Sequence, residues 1–418
     1  MKILVVSQYF WPENFRINDL VQELVTRGHN ITVLTGYPNY PGGIVYKDFR
    51  DAPNEFLNYE GANIYRVPMI ARGKGGWGLV FNYISFMLSA SILGPLKLRG
   101  QNFDVIFVFE PSPVTVGIPA VVLSKIKKAP VVFWVLDLWP ETLAAVGAVR
   151  SRIVLGAIGQ LVRYIYNRCE LVLGQSKGFI GSIAKYCDDK NKIRYFPSWA
   201  EEVYGNHDAG HFAPEVASQE GVFYVLFAGN VGEAQDFPAI LDAAAQMKTN
   251  LAIRWLIVGD GRMSDWLQQE VIRRGLEKSV LLLGRFPFER MPSFYAHADA
   301  LLVSLKSDPV FSLTIPGKIQ SYLMSGIPIV AMLDGEGAHV IREAQAGLDC
   351  AAGDSAGLAR AVLKLAGMTK GERLTLGQNG INYSKHEFDR NTLMDNLESW
   401  FKEVSGKHRK NVTVVQNG

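Results

Sequence analysis

"FAGNVGEAQDFPAI" (residues 227–240) runs from an apolar strand through glycines at 229 and 232 into the opening of a helix. That layout is a phosphate cradle: glycines let backbone approach an anion, and amides at a helix start point towards it. On this reading Gly229 and Gly232 give close approach, and amides from about Gln235 face a diphosphate. The stretch holds no Lys or Arg, so a neutralising cation must come from elsewhere in the chain.

Around it, "FYVLFAG", "IRWLIVG", "SVLLLG", "DALLVSL" and "IPIVAM" are Val/Ile/Leu-rich runs bounded by turn residues, the pattern of buried parallel strands. Helical patterns such as Phe237 to Met247 separate them, which predicts a doubly wound sheet. The first half repeats the scheme with "KILVVSQ", "NITVLTG", "DVIFVFE", "APVVFWVLD" and "ELVLGQ". Between its first two strands, Ile17, Leu20, Val21, Leu24 and Val25 keep helical spacing, and Gly28 stands where a C-terminal cap belongs. Residues 196–221 lose periodicity and gain Pro, Gly and acids, which places a boundary near residue 210. Leu393, Leu397, Trp400, Phe401 and Val404 form the apolar stripe of a last helix, and residues 406–418 read as a frayed basic tail.

The totals agree with two α/β domains. A chain of 418 residues, 48% hydrophobic and 20% charged, has material for two cores. Cys169, Cys187 and Cys350 are scattered, without metal spacing or even pairing, which suits a reducing cytosol and argues against a disulfide framework or zinc site. "MKILVVSQYF" meets polar and aromatic residues too early for a signal peptide and reads as a first strand. The net charge of +3 hides an asymmetry: Gly61 to Cys169 holds twelve Lys or Arg against four acids, which makes that segment +8 and leaves −5 elsewhere. Such an excess points to anionic lipid or nucleic acid, or else to a solvated basic face without a partner. No nucleic-acid recognition motif accompanies it. A dehydrogenase is disfavoured, because the first strand ends in "SQYFWPENFR" without glycine and "GDGRMS" (259–264) has only two of the three fingerprint glycines.

Four stretches together resemble glycosyltransferase family 4 on the GT-B fold, over nearly the whole chain. They are "QYFWPENFRINDLVQELVTRGHNITVLTGYPNYP", "VLDLWPETLAAVGAV", "FAGNVGEAQDF" and "IPGKIQSYLMSGIPIVAMLDGEGAHVIREAQAGL". Within the family, the bacterial O-antigen L-fucosamine transferases are most similar. The resemblance implies two Rossmann-like doubly wound domains with an interdomain cleft. An acceptor domain would span 1–210 and a donor domain 211–385, with a helix over 386–405 crossing back and a tail over 406–418. It implies retaining, metal-independent transfer of a sugar, such as N-acetyl-L-fucosamine, from a UDP-sugar to a lipid-diphosphate-linked saccharide in O-antigen synthesis, without a cofactor. A non-hydrolysing nucleotide-sugar epimerase and an inactive membrane scaffold are the alternatives on the same fold.

The family commonly places an Arg after the first glycine and a Lys before the helix; here those places hold Asn230 and Gln235-Asp236. Lys318 in "IPGKIQSYL" is then the leading cation, with Arg285 and Arg16 in reserve; a solvated helix lysine is the plain alternative. The family's ribose-binding glutamate position falls on Ser321, and the acid nearest its companion position is Asp308. Arg285 and Phe286 would lie beside the base, with Gly259 and Gly261 completing the donor site. On the acceptor side Asp137, at the end of a buried strand, can orient a sugar or relay a proton, with Glu141 as a second carboxylate. An Asp capping the next helix is the alternative. Glu110 in "VFEPSP" is a further acceptor-binding carboxylate, beside Arg16.

"WGLVFNYISFMLSASILGPL" (77–96) is uncharged over a length that could span a bilayer and is flanked by Arg72, Lys74, Lys97 and Arg99. Asn82, three serines and Gly94-Pro95 argue against spanning. A buried helix and an aromatic face seated in the headgroup layer remain, the latter implying peripheral attachment at the inner face of the cytoplasmic membrane.

Overall fold

The computed structural model describes residues 1–73, 76–200, 212–217, 219–249 and 252–416. It divides into two compact units, Met1–Pro197 together with the last helix, and Ser198–Arg390. The chain stays tied to the first unit as far as Phe196, whose N–H donates to Gly174 and whose carbonyl accepts from the Trp134 indole. The division therefore falls upstream of residue 210, which itself lies outside the described residues.

The first unit is built on strands β1 (Lys2–Val6), β2 (Asn30–Gly36), β3 (Asn58–Tyr59), β4 (Ala62–Val67), β5 (Val105–Glu110), β6 (Val131–Val135), β7 (Leu171–Gly174) and β8 (Ile193–Tyr195). Its helices are α1 (Arg16–Thr26), α2 (Lys47–Asp51), α3 (Gly76–Lys97), α4 (Gly117–Lys127), α5 (Glu141–Ala145), α6 (Arg152–Tyr166) and α7 (Lys177–Ala184). The sheet order is β3-β4-β2-β1-β5-β6-β7-β8, parallel except for the β3–β4 pair. Gly28, at φ +84°, closes α1 as its position predicts.

The second unit holds β9 (Phe223–Ala228), α8 (Phe237–Gln246), β10 (Ile253–Val258), α9 (Ser264–Arg273), β11 (Val280–Gly284), α10 (Met291–Tyr295) and β12 (Ala300–Ser304). It continues with α11 (Gly317–Met324), β13 (Ile329–Met332), α12 (Glu336–Glu343), β14 (Gly347–Cys350), α13 (Ser355–Gly367) and α14 (Lys370–Glu387). The order β11-β10-β9-β12-β13-β14 is the doubly wound 3-2-1-4-5-6 arrangement. Alternation along β9 supplies both faces: Val225 and Phe227 enter one core cluster, Leu226 and Ala228 the other. In both sheets the winding reverses beside the first strand of the unit, between β1 and β5 and between β9 and β12. Those switch points are where an open sheet binds ligands.

Three expectations need correction. The last helix does not begin at 386 or stop at 405: α14 runs to Glu387, the helix breaks, and α15 covers Arg390–Gln416. His29 bonds Glu398 at 2.8 Å and Phe401 packs edge-on to Phe107, which ties the first part of α15 to the first unit. The stretch expected as a frayed tail continues that helix to Gln416, and His408 in it approaches Glu170 at 3.9 Å. Strands β3, β4, β8 and β14 also escaped the pattern, since "NY", "ANIYRV", "IRY" and "GLDC" are short or polar and gain strand geometry only from their neighbours.

Helix α3 forms over the expected uncharged stretch. Asn82, Phe86, Ala90 and Gly94 make its buried stripe. Gly94 lets the helix approach closely there, since a Cβ would lie 2.9 Å from the tip of the Leu34 side chain. The opposite face exposes Trp77 (76%), Phe81, Ile84, Leu88, Ile92 and Leu96 (66%). Lys74 lies outside the described residues.

Candidate functional site

The switch point of the second unit is occupied by the 229–236 loop. Its amides are largely committed within the protein: Gly229 N–H donates to Val258, Val231 to Asp260, and Gly232 to the Gln235 side chain at 3.1 Å. A short 3-10 turn, Glu233–Gln235, precedes α8, and Asp236 between them is left-handed at φ +53°. The expected helix start at Gln235 is thus displaced to Phe237, and Gln235 closes its own loop. Its carbonyl accepts from Ser304 at the end of β12. With these amides engaged, the backbone offers an anion less than the sequence suggested.

Lys318, at the start of α11, points its Nζ beneath exposed Gly229. A Cβ on Gly229 would come within 3.1 Å of that nitrogen, and the Phe227 ring lies 3.7 Å from it. The side chain is half-buried overall, yet Nζ itself is shielded from water and has no hydrogen-bond partner. Burial lowers its pKa to about 7. A solvated helix lysine, the plain alternative, does not describe this residue.

The other donor candidates divide. A Cβ on Gly259 would meet the Gly229 carbonyl at 1.8 Å, and one on Gly261 the Val231 carbonyl at 2.2 Å, so both are needed for loop-on-loop packing. Gly232 likewise makes room for the side chains of Asn230 and Gln235. Arg285 is exposed at the end of β11 and helps to lower the Asp260 pKa. Phe286 is held against Phe294 with ring centroids 4.7 Å apart and lies under Arg290. Ser321 is buried one turn after Lys318 on the same helix. Asp308 caps its own turn by accepting from Val310 N–H at 2.7 Å.

In the first unit, Glu110 ends β5 at the β1/β5 switch point. It is fully buried, and neither carboxyl oxygen has a hydrogen-bond partner; the backbone amides of Asp137 and Leu136 approach without completing one. Burial, then repulsion from Asp137, raises its pKa well above the carboxylate range. Asp137, just beyond β6, is raised by burial against hydrogen bonds from Thr142, Trp139 and Ser112; the Trp139 indole donates at 3.1 Å. It does not cap the next helix, whose N-cap is Pro140 without a side-chain bond. Tyr83 of α3 joins this group through Ser112 and the fields of Asp137 and Glu110. Glu141 does not: its carboxyl accepts from Tyr186 at 3.5 Å and feels Lys185, while neither it nor Asp137 perturbs the other. Arg16 opens α1 and lies 3.8 Å from Asp19. Among the described residues no three His, Cys, Asp or Glu side chains gather as metal ligands.

Residues 14–199 match the family model described as "Glycosyl transferase 4-like domain", and 222–367 the one described as "Glycosyl transferases group 1". The two domains make the chain a glycosyltransferase. It is 22% identical over 341 residues to WcaI of Escherichia coli, named for glycosyl transfer in colanic acid biosynthesis, covering 78% of this chain and 82% of that protein. Among solved structures it is similar to Anabaena HepE in complex with UDP and glucose (TM-score 0.67, 16% identity, 96% of this chain and 99% of that one). It is also similar to WaaG, a glycosyltransferase involved in lipopolysaccharide biosynthesis (TM-score 0.65, 14% identity, 97% and 100%). These likenesses establish the GT-B fold of this glycosyltransferase. The narrower resemblance to L-fucosamine transferases is not shown by these likenesses.

Several buried polar residues of the first unit escaped sequence reading. Gln8, two residues past β1, donates to Asn82 at 2.7 Å while its own Oε1 is buried without a partner, beside the switch point that also holds Glu110. Asn82 accepts from Tyr9 as well and donates to Ile70. A polar residue inside an apolar run is the available signal, and in the sequence it counts only against a membrane span. Glu13 pins two loops by accepting from Asn39 and Tyr40 N–H, each at 2.7 Å, and burial raises its pKa to about 7. Nothing in the sequence distinguishes it from a surface carboxylate.

Proposed function

We propose that this glycosyltransferase moves a sugar from a UDP-linked donor to a lipid-linked saccharide in surface polysaccharide synthesis, with retention and without a metal. The donor diphosphate would lie on the 229–235 loop of the second unit, with the acceptor hydroxyl at Glu110 and Asp137 of the first. The observation that carries the reading is Lys318: a buried amine without a partner, under a glycine, at the switch point of a parallel sheet. Gly229 has no side chain to cover it, so a phosphate on the loop can meet the amine. Developing charge on the leaving diphosphate would fall there, and Asp137 would orient or deprotonate the acceptor. The UDP in the HepE complex and the lipopolysaccharide role in WaaG's name favour this donor and this setting. An N-acetylated deoxyhexosamine such as N-acetyl-L-fucosamine is the proposed sugar, on the motif likeness alone.

The outer face of α3 supports a peripheral seat on the cytoplasmic leaflet. Trp77 and Phe81 offer an aromatic edge, Lys97 ends the helix and Arg99 follows it, where anionic lipid would attract them. The test is product analysis with a panel of nucleotide sugars and a lipid-linked acceptor, in EDTA. Transfer from one UDP-sugar that persists in chelator is the expected result. Loss restored by Mg²⁺ or Mn²⁺ would overturn the metal-free reading, and an epimerised nucleotide sugar in place of a glycoside would overturn transfer itself.

A further inference from the structure

Lys318 is held in a way that suits a neutral amine. Its Nζ has no acceptor within reach, and an ammonium in that position would leave three donors unsatisfied in an apolar surround. The groups around it offer no counter-charge. Helix α11 otherwise carries only Tyr322 as a titratable side chain, and that hydroxyl is bonded to the backbone of Ala228. Strand β9 contributes Tyr224, the loop Glu233 and Asp236, the next strand's loop Asp260, and the segment after β12 Lys306; none of them acts on the amine, whose displacement has burial as its sole cause. Among the described residues the Phe227 face, 3.7 Å away, is its electrostatic partner, and a ring quadrupole is a weak substitute for a carboxylate.

Resting on the donor-site reading above, we infer that a nucleoside diphosphate binding at the 229–235 loop draws a proton from solvent onto Lys318, so that the site acquires its cation only when the anion arrives. The balance is simple: R–NH₂ plus a solvent proton gives R–NH₃⁺, no other bond forms or breaks, and the proton leaves again with the nucleotide. An empty site thereby avoids a buried uncompensated charge, and a filled one pairs the ammonium with phosphate oxygens. Because the bound amine holds its proton to higher pH than the free one, affinity is fully expressed below about pH 7 and is lost as pH rises above it.

The test is calorimetric titration of UDP into the full-length protein at pH 8, in two buffers of different ionisation heat. UDP's terminal phosphate, ionising near 6, contributes no proton there. The expected result is uptake of about 0.9 proton per UDP, and an affinity falling up to about tenfold between pH 8 and 9. Lys318→Met should melt no lower than the parent, since it removes an unpartnered amine, and should bind UDP more weakly with the same heat in both buffers. Binding by the parent with buffer-independent heat, or the same proton uptake by Lys318→Met, overturns the inference while leaving the donor site standing. No binding of UDP by the folded parent overturns the donor-site reading and the inference with it.

Discussion

Glu110 in the first unit and Lys318 in the second are the same feature with opposite charge. Each lies at the switch point of a parallel sheet, and each has a terminal group buried without a hydrogen-bond partner. Burial drives the carboxyl up and the amine down, so both are pushed towards the neutral form. The surroundings separate them. Glu110 has Asp137 nearby, which adds like charge and leaves two carboxyl groups that cannot both ionise cheaply. Lys318 has only an aromatic face and a glycine, so its charge waits on a ligand. One site is built to hold a proton among acids, the other to gain one opposite an anion.

The largest effect should come from the acid side. Asp137→Asn is expected to lower transfer by ~10²–10⁴-fold, the usual range for loss of a general base, with UDP affinity unchanged. If UDP binding falls as far as transfer does, Asp137 does not belong to the acceptor side and the contrast between the units breaks. Next, Lys318→Met should lower turnover by about 10²–10³-fold through lost stabilisation of the leaving diphosphate. Parent-like kinetics in a folded variant would shift that role to Arg285 or Arg16.

The two orphans should also leave opposite marks on stability. The folded pKa of Glu110 is raised, so the stability associated with its neutral form is present at low pH and lost as pH rises through that value. Lys318 is lowered to about 7, so its contribution is present above the normal lysine range and lost as pH falls towards 7. Thermal melts should therefore show Glu110→Gln gaining on the parent as pH rises from 4, and Lys318→Met gaining as pH falls from 10 to 7. Parallel pH profiles for the two variants would mean that one of these groups is ionised and paired in solution. The smallest effect concerns α3. Phe81→Glu should weaken binding to anionic vesicles by about tenfold, the scale of one buried aromatic at an interface, and leave transfer to a soluble acceptor unchanged. Equal binding of the parent to neutral and anionic vesicles would remove the electrostatic part of that seat.

Much of the fold was legible because its central strands are buried on both faces. Continuous runs such as "VVFWV" and "YVLFA" can be little else in a soluble α/β chain, and the glycines at 229 and 232 mark the strand-to-helix turn by themselves. Lys318 was reachable by elimination, since the loop lacked a cation. Its missing partner and its place under Phe227 and Gly229 were not, because neighbours about ninety residues away in sequence create them. Gln8 and Asn82 show the same limit: each is an ordinary polar residue until the fold sets one against the other.

Local composition and periodicity thus determined which segments become strands and helices, that there are two sheets, and that a glycine loop opens α8. These follow from short-range sterics and from the need to bury apolar runs. Tertiary structure decided that Gln235 closes its own loop, that Glu141 pairs with Tyr186, that α15 continues to Gln416, and that Glu110 and Lys318 bury their charged groups without a hydrogen-bond partner. Burial and pairing of a side chain depend on what distant segments bring to it, and that information lies in the packed chain rather than in any window of its sequence.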